Sequence, residues 1–274
     1  MANAVARAWG EAPPSLQDGD VHIWRCTLDS DTDPALLERF GALLDDSEHR
    51  RHRRLIHARD RCRFLSSHAF LRLVLSLYTR VAPEAWRFVT NADGKPFVAG
   101  PQAQQAPFFN LSHSGSLALL ALARAPCEIG VDIERHHEPR RFHALARRNF
   151  APSEAMTLDG LYGPALVRQF YDLWSLKESF VKARGLGLRM PLDGFWFDHD
   201  AETATLHFDA SPVCDTNPAM WSFCSYRLND RYSAAVAISR SLDRAPSWFD
   251  AQPWIDWRPA SLPMRCQTRR NTDN

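Results

Sequence analysis

The chain has 274 residues, 45% hydrophobic and 24% charged, with a formal net charge of +1. That length supports one large core or two modest ones. Near-neutrality excludes a protein held to nucleic acid by bulk charge, so any pull on acidic partners must come from local patches. The six cysteines (Cys26, Cys62, Cys127, Cys214, Cys224, Cys266) include no C-x-x-C pair, which argues against a zinc site or a disulfide framework. With no apolar run at the N-terminus long enough for a signal peptide or membrane span, the composition leads us to expect a cytoplasmic protein.

Residues 1–20 are polar and rich in turn formers, and are expected to be loose. Val21 to Leu28 reads as a strand. Asp33-Pro34 places proline at a first helical position, opening a helix to about Leu44. Ser47 opens a second helical region, basic from Glu48 to Arg63 and apolar from Phe64 to Tyr78, with Leu71, Val74, Leu75 and Tyr78 at helical spacing. Residues 91–96 carry turn chemistry. Phe108 to Leu111 and Leu117 to Ala123 are expected as buried strands around a Ser-His-Ser-Gly turn, followed by a strand over Glu128 to Glu134.

Helices are expected over 140–150, 153–158 and from Pro164 to about Arg184, the last capped by Gly185. Strands are expected at 195–197, 203–208, 221–226 and 232–238. The order strand, helix, strand, strand occurs twice and hints at two similar halves. The expected organisation is a flexible 1–20, an N-terminal half over 21–127, a C-terminal half over 128–240, and an irregular 241–274 ending in disorder.

Two segments carry chemistry. In Cys127 to Glu134, Ile129, Val131 and Ile133 alternate with Glu128, Gly130, Asp132 and Glu134. The second set is either a solvated acidic face or a metal site. Asp132 and Glu134 lie roughly 7 Å apart on one face, Gly130 leaves room for a ligand, and oxygen donors alone suit magnesium. In the helix around Leu166 to Arg184, Val167, Phe170, Tyr171, Trp174 and Val181 share a face that also holds Glu178, with Lys182 one turn on. These two are either a helix-surface ion pair or a third metal ligand and a phosphate-neutralising cation, because a charge in an apolar arc is costly unless compensated.

Arg50, Arg51, Arg53, Arg54, Arg59, Arg61 and Arg63 form either a solubilising helix face or an anion pocket. No aromatics interleave them as nucleic-acid binding would need. Asn110 to Gly115 contains Ser112, His113 and Ser114 but no nucleophile elbow. His113 is either structural or a phosphate contact.

Gly94-Lys95-Pro96, Phe109-Asn110-Leu111-Ser112-His113-Ser114-Gly115, Gly130-Val131-Asp132-Ile133-Glu134, and Trp174-Ser175-Leu176-Lys177-Glu178-Ser179-Phe180-Val181-Lys182 with Gly185, Gly187 and Leu188 occur in that order. Together they resemble the surfactin-type 4′-phosphopantetheinyl transferases over about residues 20 to 240. The resemblance implies an α+β fold of two pseudo-symmetric halves, with the boundary near Cys127 and the active site in the cleft between them. It implies transfer of 4′-phosphopantetheine from coenzyme A to a serine of an apo acyl or peptidyl carrier protein, with release of 3′,5′-ADP.

By the same resemblance, Asp132, Glu134 and Glu178 bind magnesium, or manganese in its place, with the coenzyme A pyrophosphate. Lys182 contacts the phosphates, and Glu178 and Lys182 serve catalysis. Asn110, Ser112 and His113 lie near the phosphates, Gly94 and Lys95 approach the adenosine end, and Arg51 aligns with the phosphate-binding position of the basic helix. A monomer without nucleic-acid or membrane partners is expected, its carrier docking beside Arg140, Arg141, Arg147 and Arg148. A coenzyme A-binding module without activity and a metal-dependent phosphohydrolase are the competing readings.

Overall fold

The computed structural model describes residues 13–28, 32–137, 141–200, 202–242, 244–252 and 256–268, with only the backbone of Leu188, Gln252 and Asp256. In chain order its elements are β1 (Val21–Thr27), α1 (Pro34–Gly41), α2 (Asp46–Arg54), α3 (Ala58–Leu77), β2 (Phe88–Thr90), β3 (Pro96–Val98), β4 (Phe108–Ser114), β5 (Leu117–Ala123) and β6 (Ile129–Arg135). There follow α4 (Phe142–Asn149), α5 (Pro152–Met156), α6 (Gly163–Arg184), β7 (Phe195–Asp200), β8 (Thr205–Ala210), β9 (Ser222–Leu228), β10 (Tyr232–Ile238), β11 (Ser247–Gln252), β12 (Asp256–Ala260) and β13 (Met264–Thr268). They divide into two compact units, Met1–Ala125 with Pro246–Ser261, and Pro126–Ala245 with Leu262–Asn274.

In the first unit the sheet order is β12-β11-β1-β5-β4. Phe70, Leu71, Val74 and Leu75 project from one side of α3 into a core with Trp24, Leu120, Leu122 and Phe249. The helical region expected to run unbroken from Ser47 is two helices. At the break Leu55 turns extended (φ −74°, ψ 126°), and the Arg61 guanidinium donates to the carbonyls of Leu55 and Ile56 at 3.0 and 2.8 Å. Those carbonyls lie in the extended link between the two helices, outside either helix's own hydrogen-bond ladder. A second correction concerns the Ser-His segment. Asn110 to Ser114 belong to β4 itself, and the turn is only Gly115-Ser116, where Gly115 takes φ 58°. A two-residue hairpin loop needs such a positive φ, which glycine adopts without strain.

In the second unit the sheet order is β6-β10-β9-β13-β8-β7, and α6 lies across β6 and β10. Both units contain the same small topology. The opening strand pairs antiparallel with the second strand of a later antiparallel pair, as β1-β5-β4 in one and β6-β10-β9 in the other. This is the expected α+β fold of two similar halves.

The segment after 240, expected to be irregular, instead supplies strands to both sheets. β11 pairs parallel with β1 and carries β12. β13 inserts between β9 and β8, antiparallel to one and parallel to the other. Trp248, Phe249, Ala251 and Cys266 are buried there, so the tail was misread because its prolines and tryptophans hid short alternating strands. Among the described residues no helix is long and apolar enough to cross a membrane.

Candidate functional site

Gly130 on β6 determines how the site is built. A Cβ at this position would lie 2.0 Å from the Ser179 carbonyl oxygen and 2.4 Å from the Ala183 amide nitrogen. The glycine therefore admits the backbone of α6, and not a ligand as its place on the acidic face suggested. Two residues along β6, Asp132 is 1% exposed. At Asp132 that face of β6 is thus covered, so the solvated-face reading does not hold there, while Glu134 is half-buried and Glu128 exposed. The same close approach brings Lys182 Nζ to 2.5 Å from Asp132 Oδ1. A buried carboxylate is stable when an opposite charge stands this near.

The phase of α6 also needs correcting. Asp172, Ser175, Lys177 and Ser179, which lie off the face shared by Trp174 and Glu178, are all buried. Trp174, Glu178 and Lys182, spaced by four, form a less buried stripe. A helix covered by a sheet on one side and by other elements elsewhere is buried nearly all round, so its amphipathic phase carries little information. Glu178 does not lie in a sealed arc, yet its carboxyl is raised above the ordinary range. Burial is the larger cause and the negative charge of Asp132 the next, with Lys182 acting in the opposite direction. Two carboxylates and an ammonium thus share one electrostatic neighbourhood.

These residues fit a hard divalent ion by donor chemistry: the candidates are all carboxylate oxygens, and Asp132 already has a cation against it. Among the described residues, however, no three His, Cys, Asp or Glu side chains stand in geometry that would hold a metal. The structure brings Asp132 and Lys182 into contact, with Glu178 in the same electrostatic neighbourhood. Glu134 sits two residues beyond Asp132, opposite Ser233 of β10, half-buried.

Two buried charge systems on α6 escaped the sequence reading. Lys177 is fully buried, and its ammonium donates to Glu154 Oε2 at 2.6 Å and to the carbonyls of Leu192 and Phe195 at 2.7 Å each. That satisfies all three of its protons. Glu154 also accepts from the amides of Ala151 and Phe197, both at 3.0 Å. Two residues before Trp174, Asp172 receives Ser233 Oγ at 2.6 Å, Arg227 Nη2 at 2.5 Å, and Arg265 from β13. The signal for Lys177 was its place beside Glu178 in the motif. The signal for Arg265 was absent, since it lies far along a tail with no motif.

The remaining candidates lie in the first unit. On β4, Asn110 and Ser112 are buried and His113 is exposed. Gly94, at φ 89°, and Lys95 sit in the loop that joins β2 to β3. Asn91 holds that loop, its Oδ1 accepting from the amides of Asp93 and Lys95 at 3.1 and 2.9 Å. Arg51 is exposed on α2, its guanidinium 5.8 Å from the centre of the Phe64 ring.

Residues 128–237 match the family model of the 4′-phosphopantetheinyl transferase superfamily, and residues 32–125 match the N-terminal model of 4′-phosphopantetheinyl transferases. The 4′-phosphopantetheinyl transferase HetI of Nostoc sp. is 31% identical over 86% of this chain and 95% of its own. The chain belongs to the 4′-phosphopantetheinyl transferase superfamily. The transferase Sfp of Bacillus subtilis is 35% identical over 74% of this chain and 85% of its own. A phosphopantetheinyl transferase of Thraustochytrium sp. is 31% identical over 80% and 77%.

The two transferase models meet where the compact units divide, at Ala125 and Pro126. Arg51, Gly94, Lys95, Asn110, Ser112 and His113 fall in the N-terminal match. Asp132, Glu134, Glu178 and Lys182 fall in the superfamily match. Strands β11, β12 and β13 lie beyond both.

Proposed function

We propose that this chain is a surfactin-type transferase that moves 4′-phosphopantetheine from coenzyme A to a serine of an apo acyl or peptidyl carrier protein. The reading is supported by family membership, and within the chain by one observation: Gly130 lets α6 approach β6 until Asp132, Lys182 and Glu178 share one charged neighbourhood. The carrier serine oxygen forms a bond to the pantetheine-bearing phosphorus. The bond from that phosphorus to the bridging pyrophosphate oxygen breaks, and 3′,5′-ADP leaves with the electron pair. The chain therefore needs no nucleophile of its own.

In this reading the serine proton passes to Glu178, directly or through a bound water. Lys182 neutralises charge on the phosphates. Asp132, Glu134 and Glu178 are the residues that would hold magnesium, or manganese in its place. That ion would offset negative charge on the pyrophosphate. Ser112, His113, Asn110, Arg51, Gly94 and Lys95 are assigned to coenzyme A by resemblance.

The carrier is assigned to the exposed arginines of α4, Arg147 and Arg148, and to Arg141 just before it; Arg140 lies outside the described residues. A monomer acting in the cytoplasm completes the proposal.

The test is the intact mass of an apo carrier protein incubated with coenzyme A, magnesium and this protein. A gain of one phosphopantetheine group, lost with chelator, supports the reading. Cleavage of coenzyme A without carrier modification would replace it with the phosphohydrolase. Binding of coenzyme A with neither outcome would leave an inactive binding module.

A further inference from the structure

The last strand of the chain lies inside the sheet that carries the candidate site. In the order β6-β10-β9-β13-β8-β7, β13 is the connection between β6-β10-β9 and β8-β7. It comes from residues beyond both transferase matches. It also delivers a side chain to α6. Arg265 Nη1 donates to Asp172, and its Nη2 lies 3.4 Å from Gln169 Oε1, one turn earlier on the same helix. Asp172 is 1% exposed and already receives Arg227 and the Ser233 hydroxyl.

Neutralising one carboxylate requires one cation, and Arg227 supplies it. The second guanidinium is unnecessary for charge balance. What it adds is geometry: a rigid planar fork that spans two successive turns of the helix. Such a contact restrains both the rotation and the axial position of the N-terminal half of α6. The C-terminal half is restrained separately, by the backbone contact at Gly130 and by the Lys177 cage. Glu178 and Lys182 stand on the second of these halves. Arg227 and the Ser233 hydroxyl keep Asp172 on the sheet without Arg265, so its loss frees only the tilt of α6 about these contacts, and that tilt shifts Glu178 relative to Asp132.

We propose that Arg265 is a positioning residue for the transfer reaction, fixing the helix that presents Glu178 and Lys182. The C-terminal tail then serves the reaction through Arg265, which acts on Asp172 and Gln169 and not on the reacting groups. This rests on the transferase reading above.

The test compares wild type, Arg265→Lys, Arg265→Met and Gln169→Ala in steady-state transfer to an apo carrier, with thermal melts of each. A displacement well under 1 Å is expected to lower kcat about tenfold in Arg265→Met, with KM for coenzyme A and for the carrier within about twofold of wild type. Lysine restores the charge but not the fork, so Arg265→Lys is expected to recover the melting temperature and not kcat. Gln169→Ala keeps every contact to Asp172 and is expected to lower kcat about threefold.

Recovery of kcat together with stability in Arg265→Lys, or wild-type kcat in Gln169→Ala and in folded Arg265→Met, would overturn the positioning role. It would leave the transferase reading intact. Absence of transfer by wild type would instead overturn the transferase reading, and this proposal with it.

Discussion

Lys177 shows how a motif residue can serve the fold and not the ligand. It lies next to Glu178 in the most distinctive stretch of the sequence, yet its ammonium is enclosed by Glu154 and two carbonyls, with the Phe195 ring 4.4 Å away. Burial pushes Glu154 up and Lys177 down, and each charge opposes the shift of the other. Lys177→Met leaves Glu154 buried and uncompensated, and is expected to cost about 3–5 kcal/mol of stability by urea denaturation. The double variant Lys177→Met with Glu154→Leu should recover much of that loss, and a double variant no more stable than the single would contradict the account.

His22 gives the acid limb of stability. Trp24 Nε1 donates to the Tyr78 hydroxyl at 2.9 Å, and that hydroxyl stands 2.7 Å from His22 Nδ1. With Trp24 donating to the oxygen, the hydroxyl still has its own proton to give to Nδ1 of a neutral imidazole. Burial lowers His22 from 6.5 to about 4, and Asp20 offsets this only in part. The unfolded chain then binds more protons between those values. The contribution is complete above pH 6.5 and falls by about 2 kcal/mol from pH 7 to pH 5. His22→Gln, which keeps an acceptor and cannot titrate, should flatten that loss. An unchanged pH slope of the urea midpoint would count against it. None of this was legible in the sequence, because pairing across 56 positions leaves no local pattern.

At the scale of elements, β6 and α6 were legible in outline, and their relation was not. Alternation located the strand, and Gly185 marked the helix end, where it takes φ 64°. The phase of α6 was misassigned, and the β6 alternatives were left open, for one physical reason: both elements are covered on more than one side, so periodicity does not separate core from solvent. The deciding contact is backbone on backbone at Gly130. Gly130→Ala would drive a methyl into the Ser179 carbonyl, and no rotamer change can relieve that. Displacement of α6 is expected to lower transfer by about a hundredfold, while Gly41→Ala on α1, where nothing lies within 4 Å, serves as the control. Near-normal transfer by a folded Gly130→Ala would show that the approach of α6 does not set the site.

For the whole molecule, the two halves were visible in the repeated order of elements, whereas the tail was not, since β11 pairs with β1 from the opposite end of the chain and β13 pairs with β9 through a shift of register. The carrier must find its surface through local charge, because the net charge is only +1. Arg147 is already paired with Asp159 at 2.9 Å, so Arg141 and Arg148 are the sharper probes. Reversing both to glutamate is expected to raise the KM for the carrier about tenfold and leave coenzyme A affinity unchanged, and unaltered carrier kinetics would remove α4 as the docking face. The central claim is that the carboxylates of β6 and α6 hold the divalent ion that transfer requires. It is tested most directly by titrating the protein, in the presence of coenzyme A, with manganese followed by electron paramagnetic resonance. The account expects one tightly bound ion per chain, weakened at least about tenfold in Asp132→Asn and in Glu178→Gln. Unchanged manganese affinity in both variants would contradict it.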